Sequence, residues 1–276
     1  MRPTAEEALA EWARRVRENR EQAERVREGQ PGPDFYAPLA TIFRADPRRQ
    51  DDPVLEILRG LVQRTDTVLD IGAGGGRYAL PLALKCQEVI AVEPSEAMRT
   101  VLRESMSEFS VPNVRVVDAR WPAEAGEIKA DIALIAHVGY DIEEIGPFLE
   151  AMERSARRLC VAVLQGQSPA AVAEPFWREI IGEERIPLPA LPEFIALQMA
   201  RGRLCEVQLS AREPVSHPHP EVPVAWLRTQ LFTMPGSERD RRIEEAAKRL
   251  LTERNGRWAV TWDAQPVGVV TWEPPK

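Results

Sequence analysis

Cysteine is scarce: the 276 residues hold three, Cys86, Cys160 and Cys205, far apart and odd in number. None belongs to a CxxC pair, so neither a disulfide framework nor a zinc site is indicated, and reduced packing residues are expected. No apolar run approaches the ~18 to 20 residues that a membrane span needs. The opening segment MRPTAEEALAEW lacks the basic-then-apolar pattern of a signal peptide, so a cytoplasmic protein is expected. A basic excess is missing as well. The net charge of -7 argues against wholesale attraction to phosphate backbones, so nucleic acid is not the expected partner. Internal repeats and low-complexity tracts are absent. His217 and His219, in SHPHP, have no third ligand close by in the sequence, and no metal site is expected.

What is present suits an ordinary globule: 44% hydrophobic and 29% charged residues supply both a core and solubility. Thr4 and Glu7 form a capping-box pattern ahead of Leu9, Trp12, Val16, Ala23 and Val26 at helical spacing. Six arginines of this helix (14, 15, 17, 20, 25 and 27) alternate with glutamates, which describes a solvated, ion-paired face rather than an RNA-binding stripe. The helix is expected to stop near Gly29, before the breakers of Gln30-Pro31-Gly32-Pro33. A short element carrying Phe35, Tyr36 and Phe43 and a helix from Pro53 to Val62 complete an N-terminal helical extension, residues 1–62, packed on the remainder.

From Thr67 the chain alternates apolar β-type runs with helical stretches. TVLDI, EVIAVE, VRVVD, DIALIAH and LCVAVL are hydrophobic on successive residues, as strands buried on both faces are. Helices are expected between them at 77–85, 95–107 and 142–158, with Pro81 distorting the first. The pattern predicts an α/β fold with a doubly wound, mostly parallel seven-stranded sheet over residues 63–276, carrying a helical insertion around 170–255. RLCEVQLS is expected at the sheet edge, and RWAVTWDAQPVGVVTWEP reads as a terminal antiparallel hairpin whose last strand lies beside the fifth.

Chemistry concentrates where these strands end. Val68-Leu69-Asp70-Ile71-Gly72-Ala73-Gly74-Gly75-Gly76-Arg77 is a buried strand running into a glycine-rich turn and a helix, an arrangement that lets backbone approach a nucleotide-like ligand. A dinucleotide fingerprint, G-x-G-x-x-G, would need glycine at 77, where Arg77 stands. Asp70 would repel a pyrophosphate but can accept from an ammonium. Glu93 closes the second strand, where a carboxylate can take both ribose hydroxyls. Met98, one turn after Pro94, can pack on an adenine or in the core, and Trp121 offers an aromatic face with the same two readings. His137 and Tyr140 follow the fourth strand at the carboxyl edge of the sheet, where open α/β sheets bind ligands.

Asp70, Gly72, Gly74 and Gly76 match D-x-G-x-G-x-G, and the segment Val68 to Leu164 resembles the class I, Rossmann-like S-adenosylmethionine-dependent methyltransferases. The resemblance implies S-adenosyl-L-methionine as cofactor, held by Asp70, Gly72, Gly74, Gly76, Glu93, Pro94 and Met98. Asp118 and Ala119 would read the adenine with Trp121 beside it. His137 would line the methyl end of the cofactor and, with Tyr140, would be the candidate catalytic residue. The Asp-Pro-Pro-Tyr and Asn-Pro-Pro-Tyr motifs of amino methylation on adenine or glutamine are absent, which favours a small-molecule acceptor methylated by in-line displacement. The competing readings are a dinucleotide-dependent oxidoreductase and a non-catalytic protein that binds an adenosine ligand.

Overall fold

The computed structural model describes residues 3–30 and 34–275, Pro38 by its backbone alone. The breakers Pro31, Gly32 and Pro33 lie outside the described residues. Helix α1 (Ala5–Val26) begins on the capping box read from the sequence: Thr4 Oγ1 accepts from the Glu7 N–H and Glu7 accepts from the Thr4 N–H. A 3₁₀ helix, Ala37–Phe43, carries the short aromatic element. Helix α2 (Pro53–Leu61) is capped by Asp52, which accepts from the Leu55 N–H.

The sheet core alternates β1 (Thr67–Ile71), α3 (Ala79–Ala83), β2 (Glu88–Val92), α4 (Glu96–Glu108), β3 (Val114–Val117), β4 (Ala130–Ala136), α5 (Ile145–Ser155) and β5 (Ala156–Gln165). Helices α6 (Glu174–Ile181) and α7 (Leu191–Ala200) precede β6 (Glu206–Arg212). Then come α8 (Glu221–Gln230), α9 (Glu238–Leu250), the short strands β7 (Thr252–Arg254) and β8 (Arg257–Ala259), and β9 (Gln265–Trp272). Seven strands form one sheet in the order β3-β2-β1-β4-β5-β9-β6. Strands β1 to β5 are parallel, while β9 runs antiparallel between β5 and β6. The strand beside the fifth is therefore the C-terminal one, as expected, with β6 at the edge.

The sheet is covered on both faces. Trp12 and Val16 of α1, Phe148 and Met152 of α5, and Phe194 and Leu197 of α7 close one face, and Leu55, Leu80 and Leu102 from α2, α3 and α4 close the other. Trp12 sits edge-on to Phe194 at 6.4 Å and donates from Nε1 to the Ile142 carbonyl at 3.0 Å, which ties α1 to both α7 and the loop after β4. Cys86 and Cys160 are buried packing residues. Helices α6, α8 and α9 share a satellite core around Phe176, Leu227 and Ile243.

The structure corrects four boundaries. The run containing Trp258 does not form a hairpin with β9: it is β8, paired with β7 across Asn255-Gly256, whose φ values of 53° and 72° make the left-handed two-residue turn that such hairpins require. The helix expected at 77–85 is trimmed to α3. The one expected from Ile142 starts at Ile145, after Glu144. Strand β6 begins three residues later than the RLCEVQLS run.

Candidate active site

The carboxyl edge of β1 turns sharply because Gly72, Gly74 and Gly76 take φ values of 74°, 55° and 88°, the left-handed region that side chains avoid. Two of these glycines also have no room for a Cβ. One on Gly72 would lie 2.6 Å from Val138 Cγ2, and one on Gly76 would lie 2.6 Å from Leu102 Cδ1. The loop after β4 and the helix after β2 thus press the glycine turn from two sides, while Gly72 and Ala73 donate to the Val92 carbonyl at 2.8 and 3.2 Å.

Glu93 fastens this loop. Its Oε2 accepts from the Gly74 N–H and its Oε1 from the Ser95 N–H, each at 2.8 Å. Burial pushes its pKa up against those two hydrogen bonds. Asp70, 2% exposed, has no donor among the described residues, and burial, reinforced by the charge of Glu93, pushes its pKa up to about 7. Two carboxylates thus sit under a backbone cradle, one engaged and one without a partner.

The other candidates spread along the same edge. Pro94 is exposed, and its carbonyl accepts from Arg99 at 2.7 Å. Met98 is buried with Ala40 and Val101, its sulfur 4.0 Å from where a Cβ on Gly74 would stand. Asp118 is exposed and paired with the buried Arg99 at 2.7 Å. Ala119 is buried in the core, and Trp121 packs against it with Nε1 donating to the Phe148 carbonyl at 3.4 Å. Tyr140 is buried, and its hydroxyl accepts from the Gln165 N–H at 2.8 Å, joining the ends of β4 and β5; burial raises its pKa, so the phenol keeps its proton.

His137 takes φ 58°, an uncommon conformation for a side chain, with its N–H bound to the Val163 carbonyl at 2.8 Å. Both ring nitrogens are shut off from solvent and have no partner among the described residues. Burial, with Arg212 and Arg77 nearby, pulls its pKa down to about 3, so the imidazole is neutral near pH 7. Phe35, Tyr36 and Phe43 are exposed and stack edge-on. Phe176 and Trp177 are buried.

Several residues at this edge carry no motif. Asp34 accepts from Ser95 Oγ at 2.7 Å and from the Ala97 N–H at 3.2 Å, binding the 3₁₀ segment to the start of α4. Asp52 Oδ2 accepts from Arg49 at 2.9 Å and Arg77 at 2.8 Å. The sequence signal for Asp52 was only that of a cap before Pro53. A cleft of about 370 Å³ opens beside Gly166 at the end of β5, lined by Arg15, Glu174, Arg185 and Glu193.

Residues 68–158 match the family model described as a methyltransferase domain. The ribosomal RNA small subunit methyltransferase A of Thermotoga petrophila is 30% identical over 138 residues, 50% of this chain and 50% of that protein, so the chain spans half the length of this curated relative. A SAM-dependent methyltransferase from Thiobacillus denitrificans, solved with S-adenosyl-L-homocysteine, superposes with a TM-score of 0.55 at 15% identity, over 90% of this chain and 100% of that one. The YcgJ protein of Bacillus subtilis gives 0.53 at 17%, over 80% and 98%. At these identities the structural likeness is one of fold. Residues 68–158 are thus similar to methyltransferase domains, and the sheet has the class I, Rossmann-like form.

Proposed function

We propose that the protein is an S-adenosylmethionine-dependent methyltransferase acting on a small-molecule acceptor. The observation that carries the reading is the buried, unpartnered carboxylate of Asp70 beneath a glycine turn that Glu93 holds by two backbone N–H groups. A carboxylate in that position fits a cationic ligand and opposes a pyrophosphate, which separates this site from a dinucleotide site. The residues present fit the cofactor: Asp70 faces its ammonium, the left-handed glycines leave room for its backbone-lined path, and Glu93 and Asp118 serve its ribose and adenine. When bound, S-adenosylmethionine supplies an electrophilic methyl group on a sulfonium. The chain then holds the acceptor in line and excludes water. His137, neutral near pH 7, offers an acceptor nitrogen for a substrate proton, and Tyr140 positions the strand ends around it.

A small acceptor is favoured over RNA, although the Thermotoga relative is named for ribosomal RNA. All six arginines of the N-terminal helix singled out in the sequence are paired with carboxylates, four of them across to other parts of the chain, so that helix presents no open basic stripe. Thermal melting with S-adenosylmethionine, S-adenosylhomocysteine, NAD and NADP tests the reading. Stabilisation by the first two alone is expected, about 2.7 kcal/mol at a hundredfold excess over Kd. Stabilisation by NAD alone overturns it, and methylation of ribosomal RNA by the purified protein overturns the acceptor class.

A further inference from the structure

Between the cofactor loop and the far edge of the sheet lies a cluster that the cofactor reading does not use. Arg77 and Tyr78 follow the glycine turn, Arg49 and Asp52 precede α2, His137 follows β4, and Arg212 ends β6. Strand β6 is antiparallel to β9 and therefore runs with β1 and β4, so all of these residues come to the same carboxyl edge. The Tyr78 ring is flanked by the guanidiniums of Arg77 at 5.6 Å and Arg49 at 5.8 Å, and the His137 ring lies 6.2 Å away, centroid to centroid.

The charges do not balance. Arg49 and Arg77 share one oxygen of one carboxylate, Asp52, and no carboxylate among the described residues pairs with Arg212. Arg212 is half-buried, and water screens it less than it would a surface arginine. The polar atoms are also unfinished: Arg77 Nε and both His137 ring nitrogens are shut off from solvent without a partner among the described residues. Buried donors are rarely left so, because each costs roughly 1–3 kcal/mol, and a bound acceptor would complete these. The excess positive charge and the missing acceptors call for the same kind of group.

We propose that this cluster is a specificity site that receives an anionic group, a carboxylate or a phosphate monoester, on the methyl acceptor, with Arg212 and Arg77 as its principal donors and His137 beside them. The proposal rests on the methyltransferase reading and narrows its acceptor to an anionic small molecule. Burial is the main cause that lowers the basicity of His137, and a bound anion offsets only the further part that Arg212 and Arg77 add.

The test titrates protein saturated with S-adenosylhomocysteine against benzoate, phenyl phosphate and the neutral isostere benzamide, at matched ionic strength. Binding is read by calorimetry and by the ¹⁵N resonances of the His137 ring, identified with His137→Gln. At least one anion is expected to bind and shift those resonances, with benzamide about tenfold weaker or worse; whichever anion binds more tightly assigns the group. Arg212→Met should lower the anion's affinity about tenfold while S-adenosylhomocysteine affinity stays within about twofold, and Arg212→Lys should recover part of the loss. Equal binding of benzamide and benzoate, no resonance shift up to the solubility of the salts, or unchanged affinity in Arg212→Met overturns the site. The parent titration keeps the question answerable if an Arg212 variant folds badly. Competition between the anion and S-adenosylhomocysteine would assign the cluster to the cofactor's own carboxylate and likewise overturn it. Failure of S-adenosylhomocysteine to bind strikes the methyltransferase reading instead, and titrating the ligand-free protein still reads the cluster.

Discussion

Two charge clusters sit at opposite edges of the same sheet, and they are finished differently. At the edge where the parallel strands begin, Glu153 near the end of α5 is met by Arg201 at 3.1 Å, Arg203 at 2.8 Å and the Trp272 indole N–H at 3.1 Å. Both its oxygens are engaged, and α5, the chain after α7, and β9 are joined through one side chain. At the edge where the strands end, among the described residues, Asp70 has no donor, His137 has no partner on either nitrogen, and Arg212 has no carboxylate. The carboxylate on one side is thus fully engaged, whereas the groups on the other side are left incomplete. Completed networks hold a fold together, whereas unfinished polar groups mark the place where a ligand supplies the missing half.

The sharpest way to test the closed side is Glu153→Ala. It leaves two arginines and an indole N–H without their acceptor, and removal of one partner of a buried pair costs about 3–5 kcal/mol. Urea denaturation should show that loss, while S-adenosylhomocysteine affinity of the folded variant stays within about twofold. The Glu153 pKa is lowered by its two arginines, so the stability it contributes is present above the ordinary carboxylate range and is lost as pH falls through it. A variant that melts like the parent would show that the network is ornamental.

On the open side the sign reverses. Asp70 has its folded pKa raised from 3.8 to about 7, so the ligand-free protein prefers it protonated, and its ionisation costs stability progressively as pH rises from about 4 to 7. Asp70→Asn is therefore expected to stabilise the ligand-free protein at pH 8 by up to ~4 kcal/mol, to change little near pH 4, and to weaken S-adenosylmethionine binding. Equal melting of the two proteins at pH 8 would mean that the carboxylate has a partner in solution.

His137 titrates the other way. Its folded pKa of about 3 lies below the unfolded 6.5, so the unfolded chain takes up a proton that the native state refuses, and stability falls as pH drops from about 6.5 toward 3. In His137→Gln the slope of unfolding free energy against pH near pH 5 should be smaller by about 1.4 kcal/mol per unit, the value for one proton. An unchanged slope would place the imidazole in contact with water.

The ends of the parallel strands were legible because buried strands announce themselves as short apolar runs, and because glycines recur where only glycine has room. Asp70, Glu93 and His137 fall at those ends by register alone. The hairpin at Asn255-Gly256 was equally readable from its dipeptide, yet the apolar run around Trp258 pairs as well on paper with the strand that follows it. Arg212 carried no signal. A charged residue at the end of an edge strand looks solvated, and only the fold brings it across to Arg77 and His137. Glu153 was silent for the same reason, since its partners lie about fifty residues onward and at the C-terminal end of the chain.

The smallest expected effect belongs to Glu93, which lies at the open edge but is itself engaged. Its two oxygens accept from Gly74 and Ser95, so it shapes the glycine turn as well as facing a ligand. Glu93→Gln keeps one acceptor oxygen and turns an amide donor toward the other backbone N–H, which opens one fastening of the loop. It also removes a buried charge, so the change in stability is the balance of a lost hydrogen bond and a relieved desolvation, and should be slight. S-adenosylhomocysteine affinity is expected to fall about tenfold, roughly 1.4 kcal/mol. A second readout separates the loop from the charge. The negative charge of Glu93 is, after burial, the cause that raises the Asp70 pKa, so in the variant Asp70 ionises at lower pH and the pH dependence of cofactor binding shifts down with it. If affinity falls without that shift, Glu93 acts through the loop alone; if affinity does not fall, the turn stands without its carboxylate and the engaged residue of the open edge is a structural one.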